Sequence, residues 1–311
     1  MGNQRMRHLK TPAGTVHSLR FSPDGRSIYL LSDQPEVRGG RYQHAYKVDA
    51  SSGIILESWP FTPCDQAIFS PDLRSIYSSD SGDWMCHLRR LNLISRQETE
   101  LLRTDDLFVT NIAFTPNQHL LAFSVLEGDG VKHFSVRRLD VLGGVLHGAM
   151  LDPIRTVALC MAYSPDGRLL ATGSPLSELS PSTGIRLWQG RQLIQEFPDP
   201  ARYLAWSPDG QLAWGAGERL YIAEPGTGGT SRALDGFSGE LWALAFSPDS
   251  RVIVTGSQSG FCCAHESATG RLVASFDWGI GPIHSVAFSP DGLTCVAGGE
   301  NGQVVVWDVD N

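Results

Sequence analysis

The side chains of this 311-residue chain that could do chemistry most directly are two imidazoles and a carboxylate, His17, His284 and Asp65. Each stands four residues before an aromatic-Ser-Pro-Asp string, and two imidazoles with one carboxylate suit zinc or iron. Such a centre needs ligands held at about 2 Å, which strand ends rarely meet by accident, so no metal and no cofactor are expected. The other fragments of catalytic motifs fail on one residue each. His265-Glu266 begins like HExxH, but Thr269 stands where the second histidine is needed, on a strand end rather than a helix. Residues 256–260, GSQSG, carry Gln where a GxSxG nucleophile requires Ser. Residues 215–220, GAGERL, lack the third glycine and the following helix of a dinucleotide loop. No catalytic residue is assigned.

The elements that position these side chains come from a repeat. The string aromatic-Ser/Thr-Pro-Asp/Asn begins at Phe21, Phe69, Phe114, Tyr163, Trp206, Phe246 and Phe288, at gaps of 48, 45, 49, 43, 40 and 42 residues. That period fits one four-stranded propeller blade. An apolar inner strand runs into each aromatic, as in 241–246. Ser-Pro-Asp-Gly then makes a turn, because Pro presets φ, Asp bonds to nearby backbone and Gly supplies positive φ. Second strands such as 169–174 and 252–257, third strands such as 185–188 and 304–309, and a fourth beyond turns such as 49–53 complete each unit. Seven such sheets bury their faces when arranged radially. The expectation is an all-β, seven-bladed β-propeller of four-stranded antiparallel blades, a single domain over 1–311. The last repeat stops after its third strand while residues 5–10 form a spare one, so an N-terminal strand is expected to close the ring.

The units resemble WD repeats over essentially the whole chain. Residues 303–309 and 184–188 look like that family's third strand, 171–174 and 254–257 like its second, and 235–249 like its loop and inner strand. The resemblance is to a member with degenerate repeats, bacterial-like or divergent. Trp307-Asp308 alone is a WD dipeptide, Gln189 follows Trp188, and Phe237 replaces the family's histidine. The buried Asp–His–Ser–Trp network of the family is therefore expected to be incomplete.

The resemblance implies that residues four and six before each aromatic sit on a rim around a central channel. Position minus four gives His17, Asp65, Thr110, Leu159, Arg202, Trp242 and His284, and position minus six includes Phe108 and Glu240. Aromatics, an arginine and a few charges are what a recognition surface uses. The expected binding set is His17, Asp65, Phe108, Arg202, Glu240, Trp242 and His284, on a non-catalytic scaffold for a protein or peptide. The plain alternative for each residue is a solvated strand end. A second reading is a small-molecule hydrolase of the lactonase-propeller type, a family similar in its scattered Glu, Arg and His, here Glu240, Arg202 and His284. Two long loops, 33–43 and 175–184, should lie on the same rim, where long loops carry recognition unless they are neutral insertions.

Composition narrows the partners. A net charge of −8 argues against a nucleic-acid footprint, which needs clustered Lys and Arg. No apolar run approaches the ~20 residues of a membrane span, the first ten residues are not a signal peptide, and Met6 stands where a myristoylation motif wants Ser or Thr. The six cysteines show no CxxC spacing and read as reduced core residues. A cytoplasmic protein, monomeric by itself, is expected.

Overall fold

The computed structural model describes residues 6–11, 14–33, 42–80, 85–104, 108–115, 120–127, 133–140, 146–147, 160–174, 184–226 and 230–309. Among them every regular element is a β-strand. Six of the repeats have four antiparallel strands in sequential order. In the first, Val16–Phe21 leads to Ser27–Ser32, Tyr42–Asp49 and Ile55–Cys64. The last is built differently. Its three strands Ser285–Phe288, Thr294–Gly298 and Gln303–Asp308 are joined by Met6–Lys10, which pairs antiparallel along Gln303–Trp307 from Met6 opposite Trp307 to Lys10 opposite Gln303.

The chain packs as two compact units, one of residues 1–62, 207–222 and 232–311, the other of 63–206 and 223–231. This corrects the expectation of a seven-bladed propeller. Six blades are whole within a unit, apart from Pro63 and Cys64 at the end of Ile55–Cys64, whereas the fifth repeat is divided, with Tyr203–Trp206 in one unit and Leu212–Ala216 in the other. The physical reason lies in its length. The fifth repeat has the shortest period, 40 residues, and its outer strand Arg232–Leu234 has three residues. Its four strands span four, five, five and three residues, the shortest set of any repeat among the described residues, so it has the least ladder to hold it together as a blade.

The Ser-Pro-Asp turns share one hydrogen-bond pattern. In the first, Ser22 Oγ donates to Asp24 Oδ1 at 2.5 Å and accepts from Ser27 N at 2.9 Å, while Arg26 N donates to Asp24 Oδ1 at 3.1 Å. The same serine-to-aspartate bond joins Ser70 to Asp72, Ser164 to Asp166, Ser207 to Asp209, Ser247 to Asp249 and Ser289 to Asp291. It satisfies strand-end donors that would otherwise be orphaned. These bonds, the serine's first, hold the carboxyls of Asp24, Asp166, Asp249 and Asp291 below the ordinary aspartate value.

In the first unit the blades meet through second-strand glycines. A Cβ on Gly298 would stand 2.6 Å from Val16 Cγ1, and one on Gly256 would collide with Ile283 Cγ2. The family-like Ala/Thr-Gly pattern is thus a close-approach device. Around it Leu9, Val16, Leu19, Leu30, Val296 and Val306 form one buried cluster, and Ile280, Ile283, Val305 and Trp307 belong to another. In the second unit Tyr77, Leu88, Val136, Leu170 and Trp188 share a core. There Trp188 Nε1 donates to Thr172 Oγ1 at 3.0 Å, a two-membered remnant of the tryptophan network. In the sixth repeat His265 stands at the tryptophan's place, its ring centroid 4.7 Å from that of Phe237.

Candidate functional site

The inner strands do not run straight into their blades. Between Val16 and Ser18 the register with the neighbouring strand shifts, so that His17 is the extra residue of a bulge. The same irregularity falls between Leu241 and Ala243, at Trp242, and between Val109 and Asn111, at Thr110. All three are position minus four of the repeat. A bulge bends the strand and re-aims the extra side chain, which is why bulges recur beside functional sites. At these positions a polar or large side chain is turned out of the alternation that buries Val16, Leu19, Leu241 and Ala243.

In the first unit three of the expected site residues come together. The Trp242 and His284 ring centroids lie 4.9 Å apart, tilted by 44°, and those of His284 and His17 lie 5.7 Å apart, edge to face at 71°. His284 is fixed by its backbone N, which donates to Gly298 O at 2.9 Å. Sequence reasoning missed the fourth member, Asp33. Its Oδ2 lies 3.3 Å from His17 Nε2, and its Oδ1 accepts from Thr15 N at 2.5 Å. With side-chain exposures of 21% for His17 and 14% for Asp33, the pair is half-enclosed. The signal was present, since Asp33 opens the long loop 33–43, yet nothing in the spacing ties it to a histidine 16 residues earlier.

Burial governs the electrostatics here. It pushes the His17 imidazole below its ordinary value, with Asp33 pulling weakly the other way. It pushes His284 from 6.5 to about 4, helped by the neighbouring His17 and opposed by Asp33. Both rings are therefore neutral at pH 7. His284 Nε2 is buried and has no hydrogen-bond partner among the described residues. The arrangement offers an indole face, neutral imidazoles and one carboxylate. Among the described residues no three His, Cys, Asp or Glu side chains gather as a metal site would.

The other four expected residues are placed as follows. Glu240 is half-buried, and its carbonyl oxygen accepts from Gln258 N at 2.8 Å. Asp65 and Arg202, in the second unit, are exposed residues immediately before inner strands, and Asp65 N donates to Ser79 O at 2.9 Å. Phe108 begins the strand Phe108–Phe114, but its side chain lies outside the described residues, as do Leu159 and most of the two long loops. The six cysteines are all free and buried, and no helix among the described residues is long and apolar enough to cross a membrane.

Comparison with known proteins adds the family. The model for the WD domain, G-beta repeat, matches residues 148–189, 228–266 and 269–308. None of the curated proteins compared with the chain matches it.

Proposed function

Because the chain belongs to the WD-repeat β-propeller family, we propose that it is a non-catalytic scaffold holding a protein or peptide partner on the inner-strand ends around Trp242. Propellers of this family are commonly interaction scaffolds and typically lack catalysis. The observation that carries the reading is the bulge at Trp242. A repeat that buries apolar residues on either side of this position spends an irregular register to bring an indole against His284. A large aromatic with partial exposure and rigid neighbours is the usual form of an interface anchor. His17 and Glu240 of the first unit belong to the same proposed surface on repeat position; in the second unit Asp65, Phe108 and Arg202 are proposed as binding residues on the same ground, with Arg202 suited to a partner carboxylate through its planar fork.

The test is titration calorimetry with the partner recovered by cross-linking. Trp242→Ala should weaken binding about 30-fold, the equivalent of about 2 kcal/mol for a lost anchor. Asp249→Ala, on the Ser-Pro-Asp turn, should lower stability and leave affinity within about twofold. Normal affinity in Trp242→Ala, with affinity lost in a folded Asp249→Ala protein, would overturn the assignment.

A further inference from the structure

Two arginines of the first unit reach from an outer strand to a turn of the next repeat. The two turns are alike: Asp49 N donates to Ile54 O and Gly53 N to Asp49 O in the first repeat, Glu266 N to Arg271 O and Gly270 N to Glu266 O in the sixth. At the sixth, both end nitrogens of Arg232 are used, Nη1 donating to Ala268 O and Nη2 to Ser267 O, each at 2.5 Å. At the first, Arg7 of Met6–Lys10 donates through Nη1 alone, to Ser51 O at 3.0 Å. Its Nε is buried and has no hydrogen-bond partner among the described residues. The unused side of the guanidinium is therefore the Nε and Nη2 edge, a pair of parallel donors that matches the two oxygens of one carboxylate.

Arg7 lines a cavity of about 420 Å³ between the first and last repeats, whose walls include Phe21, Arg26, Asp49, Ala50 and Asp291. That volume lies in the range of small-molecule sites. Both carboxylates of the cavity are engaged by their own turns. Asp49 Oδ1 accepts from the N and Oγ of Ser51 and of Ser52, and Asp291 Oδ1 from Ser289 Oγ and Leu293 N. These bonds hold both carboxyls below the ordinary aspartate value, so both are charged at pH 7 and repel a phosphate dianion. What fits is a monoanion with a planar pair of oxygens and a short apolar body against Phe21 and Ala50. We propose that this cavity binds a small organic acid, its carboxylate on the Nε and Nη2 edge of Arg7 and Arg26 as a second cation. The acid supplies the acceptor that the buried Nε lacks, and a buried donor left unsatisfied carries its full desolvation cost. The cavity lies at the Phe21 end of Val16–Phe21 and the Trp242 cluster at its His17 end, so failure of the site would leave the scaffold reading untouched.

A ligand bound only by the folded state stabilises that state by mass action. The experiment is thermal unfolding at pH 7 and constant ionic strength in sodium chloride, sodium acetate or sodium phosphate, for the wild type, Arg7→Lys and Arg26→Gln. Acetate should raise the wild-type Tm saturably, by about 2 °C at tenfold excess over its dissociation constant, and phosphate should give no saturable rise. Arg7→Lys keeps the cation and a donor for Ser51 O but has no fork, so it should lose the acetate response while melting in chloride within about 2 °C of the wild type. Arg26 is exposed, so Arg26→Gln should fold normally and raise the dissociation constant of acetate about threefold. No saturable response to acetate in the wild type, an equal response in Arg7→Lys, or a saturable response to phosphate would overturn the proposal. If Arg7→Lys does not fold, Arg26→Gln decides: weakened acetate binding supports the site, and an unchanged dissociation constant refutes it.

Discussion

Replacing Gly298 by alanine tests how the blades of the first unit are held together. The added methyl would stand 2.6 Å from Val16 Cγ1, 2.9 Å from Val16 Cβ and 3.0 Å from Leu19 Cδ1. Val16 is 0% exposed and Leu19 5%, so neither can move into solvent, and Val16 is β-branched and stiff at χ1. Gly298 is also paired on both sides, with Ser285 and Val304, so its own backbone cannot retreat. Overpacking of this kind costs about 1–3 kcal/mol, and lost freedom of the unfolded chain returns about 0.4–1 kcal/mol. The net is about 1–2 kcal/mol, which for a large domain lowers Tm by about 2–6 °C. The assay is calorimetric melting of Gly298→Ala, Val16→Ala and the double variant. Truncating Val16 removes the colliding methyls, so the double variant should be more stable than the sum of the singles by at least ~0.5 kcal/mol. An unchanged or raised Tm in Gly298→Ala, or strict additivity in the cycle, would refute the close-approach argument.

Deleting residues 1–10 removes the strand that pairs with Gln303–Trp307 and uncovers an edge, so the melting temperature should fall clearly; an unchanged melt would show that the strand is dispensable. Acid should destabilise the protein in a defined window. The His284 pKa is depressed, so its contribution is complete above the unfolded value of 6.5 and is lost as pH falls toward about 4, because the unfolded chain takes the proton first. His284→Gln should flatten the Tm profile between those values, and an identical profile would contradict the neutral imidazole. Purified protein should hydrolyse no aliphatic lactone and carry no stoichiometric zinc or iron; turnover or metal abolished by His17→Ala would restore the enzymatic alternative.

The parts of this fold that could be read from sequence are those whose physics is local. Ser22, Pro23, Asp24 and Gly25 fix a turn within four residues, and the observed bonds from Ser22 and Arg26 to Asp24 follow from those side chains alone. The partner strand Met6–Lys10 was legible because a repeat lacked a strand and a spare one existed. The division of the fifth repeat was not, because periodicity counts motifs and is blind to how much pairing four short strands supply. At the candidate site the repeat offset located His17, Trp242 and His284, which do meet in the first unit. It could not reveal the bulges, which depend on register with the next strand. Nor could it reveal Asp33, whose approach to His17 joins two strands across a turn.

The central claim, that a macromolecular partner is held where Trp242 meets His284, is tested most directly by placing a photo-activatable phenylalanine analogue at single positions and irradiating the protein with its partner bound. The account predicts strong cross-links from positions 17, 242 and 240, and none from position 166 or 249 on the Ser-Pro-Asp turns. Cross-links from 166 and 249 with none from 17, 240 or 242, in proteins of unchanged melting temperature, would contradict it.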